Sequence, residues 1–210
     1  LAYARRRAEM IRLVNAHCDH VLCVSDAVRA IARHHGIAPD RLVTSYIGSP
    51  EAGRFAATKT RESFVAPDGL LRLAFLGYMR RDKGFHFLLD ALEALPQATR
   101  SRLHLTIAAR RGPEDVMARL AALGPRLGGL KYVDGYSHDE LDSLLADVDL
   151  GVVPVLWHDN LPQVAIEMHA RHIPVLASDM GGARELGRCP ELIFPAGDTA
   201  AFAARFEAVL

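Results

Sequence analysis

At 210 residues the chain is long enough for one large domain or one and a half small ones. Its 25 Lys and Arg balance 25 Asp and Glu, which leaves no electrostatic footprint for nucleic acid, and no apolar run approaches the roughly 20 residues of a membrane span. Three cysteines, Cys18, Cys23 and Cys189, make no even disulfide framework and point to a reducing compartment.

In chain order, residues 2–16 carry apolar positions at helical period (Ala2, Met10, Leu13, Val14), with Arg5, Arg6, Arg7 and Arg12 between them. The basic face reads as solvated; contact with a membrane surface is the alternative, disfavoured by the short helix and low aromatic content. Val21 to Val24 reads as a buried strand holding Cys23. His17, Cys18, His20 and Cys23 match no standard zinc spacing, so no metal is expected there. Ser25 stands at an N-cap before a helix over 27–35, which Gly36 ends. Pro39-Asp40 marks a turn, 42–47 a strand, and Gly48-Ser49-Pro50 a break. Residues 51–70 are turn-rich without a period and are expected to be a linker between 1–50 and 71–210.

From residue 71 the pattern is regular: strands at 71–76 (closed by Gly77), 103–108, 130–133, 150–155, 175–177 and 192–194, and helices at 84–95, 113–123, 138–146, 162–171 and 182–186. A last helix capped by Asp198 follows. Such alternation predicts an α/β fold, a Rossmann-like parallel sheet with helices on both faces, whose ligand lies at the carboxyl ends of the strands. The chain starts at Leu1 and stops within an apolar-periodic run (Phe202, Phe206, Val209, Leu210), and is expected to be a piece of a longer protein.

Four strand ends carry candidate chemistry. Gly77-Tyr78-Met79-Arg80-Arg81-Asp82-Lys83-Gly84 combines a glycine that lets a ligand approach with cations ahead of a helix start, a combination suited to phosphate; the plainer reading is a basic surface loop. Backbone groups at Gly135-Tyr136-Ser137-His138 suit a planar base. Pro162, expected in the first turn of its helix, leaves Asp159 on the preceding loop beside the electropositive helix end and puts Glu167 more than a turn inside. Taken alone, that pair reads as a capped helix with one solvated Glu. Gly181-Gly182 with Glu185 form the fourth end. His169 and His172, three apart, lack a completing carboxylate and read as packing or surface residues. Cations at one end, with carboxylates and loop amides at another, match the polarity of a nucleotide diphosphate sugar.

In their order and spacing these segments resemble the retaining, GT-B-fold glycosyltransferases known as group 1, over nearly the whole chain. Phe75-Leu76-Gly77 through Lys83-Gly84 is similar to that family's phosphate loop, Asp147 to Pro154 to its late strand, and Asp159 to Glu167 to its E-x7-E motif. Pro174 to Ser178 and Gly181 to Glu185 resemble the block that follows, and Val21 to Ser25, Gly36-Ile37 and Arg41 to Val43 the end of the N-terminal lobe.

The resemblance implies that 71–210 is the donor-binding half of a GT-B fold and 1–50 the end of the acceptor lobe. It implies Lys83 on the donor diphosphate, Glu167 on the ribose, and Asp159 with the amides through Leu161 on the transferred sugar. The expected donor-binding set is Gly77, Arg80, Lys83, Gly135, Tyr136, Asp159, Asn160, Leu161, Pro162 and Glu167, with Lys83, Asp159 and Glu167 as catalytic residues. No metal and no cofactor are expected beyond the UDP-, GDP- or ADP-linked donor. The acceptor stays open, with a glycan or lipid-linked molecule as the candidate class, and the expected location is the cytoplasm, with peripheral contact at the inner membrane face as the alternative. The fragment is expected not to catalyse transfer alone.

Three positions depart from the family pattern: Asp159 stands for the usual Glu, Tyr78 for the usual Arg (with Arg80 favoured over Arg81 as its replacement), and Ile47-Gly48 for Asn-Gly. The competing reading is a non-catalytic relative that binds a nucleotide sugar or acts as a scaffold. A nicotinamide oxidoreductase is disfavoured because no G-x-G-x-x-G follows any strand.

Overall fold

The computed structural model describes residues 2–54 and 65–210. Residues 55–64, half of the expected linker, lie outside the described residues. The chain divides into two compact units, Leu1–Gly48 and Ser49–Leu210.

In the first unit, α1 (Ala2–His17) precedes β1 (Val21–Cys23), α2 (Asp26–His34) and β2 (Leu42–Thr44), and the two strands pair in parallel. Asn15 ties α1 to the turn after α2, donating to the Gly36 carbonyl at 2.8 Å and accepting from Ala38 N–H at 2.9 Å. Ser25 caps α2, its Oγ accepting from Val28 N–H at 3.1 Å. The buried strand expected at 21–24 is corrected: Cys23 is buried, whereas Leu22 is 68% exposed, because α2 covers only one face of this two-stranded sheet. The following strand stops at Thr44 rather than 47. The Thr44 and Tyr46 hydroxyls both donate to the Asp26 carboxylate, at 2.6 and 3.3 Å.

The second unit holds β3 (Leu71–Tyr78), α3 (Phe85–Ala94), α4 (Gln97–Arg100), β4 (Leu103–Arg110), α5 (Glu114–Leu123), β5 (Gly129–Asp134), α6 (Leu141–Leu145), β6 (Leu150–Val153), α7 (Gln163–Ala170), β7 (Val175–Ser178), β8 (Ile193–Phe194) and α8 (Thr199–Glu207). Six parallel strands run in the order β5-β4-β3-β6-β7-β8. The strands are apolar along their length because both faces are covered. Alternate residues serve separate cores: Leu71, Leu73 and Phe75 pack with α3, α5 and α8 on one face, while Ala74 and Leu76 pack with α6 and α7 on the other. The α/β, Rossmann-like expectation holds, with boundary differences that have local causes.

β3 does not close at Gly77; its pairing continues through Gly77↔Ala109 and Tyr78↔Arg110. The helix expected at 138–146 begins as a 3-10 turn, His138–Glu140, since Glu140 folds back to accept from Ser137 N–H at 2.7 Å and Ser137 Oγ–H at 2.9 Å. The segment after β7 is likewise a 3-10 helix, Gly181–Leu186. Pro162 is corrected from the first turn to the N-cap of α7: its backbone is still extended, with ψ 110°, as the loop arrives from Asp159.

The loops after β3 and β6 are locked together through their backbones. Gly84 has φ +75°, and a Cβ there would stand 1.7 Å from the Pro154 carbonyl oxygen. Leu156 N–H donates to the Asp82 carbonyl at 2.9 Å, and buried Ser178 Oγ–H donates to the Val155 carbonyl at 2.7 Å. Gly84→Ala therefore meets both a disfavoured φ and rigid backbone. It is expected to lose about 2–4 kcal/mol in urea unfolding, against roughly 0.5 kcal/mol or less for Gly48→Ala, whose added Cβ meets nothing within 4 Å.

Candidate functional site

The strand order reverses between β3 and β6, so the connections leaving those two strands part to opposite sides and open a crevice at their carboxyl ends. Lys83 lies on the loop from β3 to α3, and Asp159 on the loop from β6 to α7. They meet there: Lys83 Nζ donates to Asp159 Oδ2 at 2.6 Å, with side chains 29% and 12% exposed. Trp157, half-exposed, lies over the same ammonium at 5.0 Å from its ring centroid and donates from Nε1 to Asp159 Oδ2 at 3.2 Å. One carboxylate oxygen thus accepts from both partners.

The third loop presses on the second. Gly181 has φ +57°, and a Cβ there would come within 2.4 Å of the Asp159 carbonyl oxygen; Gly182 N–H donates to that oxygen at 2.8 Å. The paired glycines serve the close approach of two protein backbones. Gly77, with φ +125° and nothing within 4 Å of an added Cβ, instead faces open space. Arg80 and Arg81 are both exposed; Arg80 Nε donates to Asp82 Oδ1 at 2.9 Å.

Glu167 lies on α7, its side chain 16% exposed, paired with Arg171 one turn on. Tyr136, after β5, is drawn to the same place: burial first, then the Glu167 charge and Tyr78, push its phenol above the ordinary value. Gly135 there has φ +75°, with the Arg110 stem 3.9 Å from an added Cβ. Leu161 and Pro162 are buried, while Asn160 is exposed. The ten residues expected from the sequence therefore fall on the ends of β3, β5 and β6 and on α7. Sequence reasoning left out Trp157 and Arg171 as site residues. Trp157 stands two positions from Asp159, and Arg171 four from Glu167, spacings that could have flagged both.

No group of three or more His, Cys, Asp or Glu able to hold a metal occurs among the described residues. His169 Nε2 lies 2.7 Å from the Leu186 carbonyl, which fastens α7 to the 181–186 turn. No helix among the described residues is long and apolar enough to cross a membrane.

Residues 71–210 match the sequence profile of the family described as Glycosyl transferases group 1. No curated protein matches the sequence. Among solved structures, HepE from Anabaena in complex with UDP superposes with TM-score 0.73 at 20% identity, over 94% of this chain and 56% of its own. A glycosyltransferase from Rickettsia africae gives 0.74 at 17%, over 96% and 56%. Sucrose-phosphate synthase from Thermosynechococcus elongatus gives 0.69 at 19%, over 98% and 52%. The chain thus spans about half the length of these structures.

Burial lowers the His169 pKa below its ordinary value, so the folded chain holds this ring neutral. Its contribution to stability is complete above the unfolded pKa of about 6.5 and is lost as pH falls from there toward the folded value. Urea titrations at pH 7 and pH 5 should show stability falling with acid, and falling less steeply in His169→Gln.

Proposed function

Because the chain belongs to the group 1 glycosyl transferases, we propose that residues 71–210 bind a nucleotide diphosphate sugar as the donor half of a sugar transferase, with residues 1–50 as the end of its acceptor lobe. The observation that carries this reading is the meeting of Lys83 and Asp159 at the reversal of strand order. The diphosphate lies against Lys83, the loop before α3 and Arg80. The ribose hydroxyls donate to Glu167, and the base packs by Gly135 and Tyr136. The sugar lies against Asp159 and the loop through Asn160, Leu161 and Pro162. The Anabaena HepE structures hold UDP and UDP-glucose, which supports a donor of this class.

In the transfer, the bond from the anomeric carbon to the diphosphate oxygen breaks and a bond to an acceptor hydroxyl oxygen forms. The hydroxyl proton passes to the leaving phosphate on the same face, which retains configuration; retention rests on the family resemblance. Negative charge develops on the diphosphate, and Lys83 is placed to neutralise it as the bond lengthens. The acceptor, a glycan or lipid-linked molecule, is met by the other lobe, so the chain binds donor without transferring it. One observation favours a second reading, a nucleotide-sugar-binding relative without transferase activity: Asp159 is already engaged by Lys83 and Trp157. A full-length protein that binds donor but neither hydrolyses nor transfers it would support that reading.

Calorimetry with UDP, GDP and ADP on this chain is expected to give binding below millimolar for at least one of them. Trp157 is the only tryptophan, so its emission should change in parallel. Lys83→Ala and Glu167→Ala should each weaken binding about tenfold or more, the loss of a hydrogen bond to a charged group. No binding of any of the three at millimolar nucleotide would sink the proposal.

A further inference from the structure

Glu167 is held by a device that no single stretch of the chain contains. Arg171 donates through Nη1 to Glu167 Oε2 at 3.0 Å and to the Glu167 backbone carbonyl at 2.9 Å. Through Nε and Nη2 it donates to Asp142 Oδ1 of α6 at 2.9 and 2.7 Å. An exposed pair four apart on a helix leaves both side chains free to turn and contributes little. Here the Arg171 side chain is 6% exposed and three of its nitrogens are committed. A planar guanidinium held at that many points cannot rotate without breaking them together, and the carboxylate it grips is fixed with it. Glu167 Oε2 is thereby occupied. Oε1 lies 3.8 Å from His138 Nδ1, beyond hydrogen-bond range, and His138 is an exposed residue of the turn after β5 that also carries Tyr136.

We propose that Arg171, oriented by Asp142, is a positioning residue for donor recognition: it takes one oxygen of Glu167 and holds the other toward the crevice to accept from a ribose hydroxyl. The inference rests on the reading above that Glu167 meets the ribose. A lysine at 171 would offer a single donor point and could not hold Glu167 and Asp142 in the same geometry.

The test compares the best-bound of UDP, GDP and ADP with its 2′,3′-dideoxy form, by calorimetry on this chain and on Arg171→Met, Arg171→Lys and Asp142→Asn. In the parent the ribose hydroxyls should raise affinity about tenfold or more. Arg171→Met should lose most of that ratio while its affinity for the dideoxy nucleotide stays at the parental level. Arg171→Lys should keep part of the ratio and Asp142→Asn should lose part. A merely structural arginine would weaken both ligands alike. A folded Arg171→Met with the parental ratio overturns the inference, and if that variant does not fold, a folded Asp142→Asn with the parental ratio does so. A parent that binds a diphosphate without regard to its ribose hydroxyls overturns the assignment of Glu167, and with it this inference. A parent that binds none of the three overturns the donor-domain reading itself.

Discussion

Three strand-end loops meet in this domain with their backbones in contact, and the site follows from that constraint. Gly84 packs on the Pro154 carbonyl, and Gly181 on the backbone of Asp159. Neither place has room for a side chain, so the loops have almost no freedom to slide. Lys83 and Asp159 are set opposite each other by main chain, and main chain moves less than long side chains do. Under the donor reading that rigidity serves group transfer, because groups already aimed at developing charge need no reorganisation when it appears.

The same rigidity brings together an ammonium and a carboxylate at partial burial, where each needs the other. An unpaired charge in such a place is unfavourable, so the Lys83–Asp159 bond satisfies both groups, with the Trp157 ring face and indole N–H adding to it. Under the donor reading a diphosphate competes for this lysine. It carries more negative charge than one carboxylate and offers several acceptor oxygens, so Lys83 exchanges a weaker partner for a stronger one. Asp159 then keeps its indole donor and turns toward sugar hydroxyls. The shorter side chain at this position, where the family's usual residue is Glu, reaches Lys83 directly across the crevice.

The strands of the sheet were legible because residues buried on both faces leave runs such as Leu71 to Leu76, with helices between them at their own period. A glycine, basic residues and Lys83-Gly84 in one short stretch marked the loop after β3 as a candidate site from the sequence, and that loop does border the crevice where the strand order reverses. What the sequence hid depends on contacts between distant segments. Leu22 reads as buried from its neighbours, but only one face of its two-stranded sheet is covered. Gly181-Gly182 read only as one more strand end, yet the neighbour of Gly181 is the backbone of Asp159, 22 positions back. Arg171 meets Asp142 across 29 positions, and no periodicity along α7 announces a partner on α6.

The far end of α7 shows how local geometry makes that distant contact dependable. His172 N–H donates to the His169 carbonyl and Ile173 N–H to the Met168 carbonyl, both at 3.0 Å, the paired bonds of a Schellman ending. Glycine usually fills the left-handed position of this motif, but here it is His172, with φ +58°, the one such non-glycine among the described residues. Forcing a side chain into that region costs about 1–2 kcal/mol. The burial of Met168 and Ile173 in the core shared by α6 and α7 offsets it, because the chain must reverse there to enter β7. The reversal fixes Arg171 as the last residue before the turn, with its side chain running back along α7 to Glu167 and across to Asp142. The strained residue and the buried arginine are thus two consequences of one sharp helix end, and that end decides which way Glu167 points.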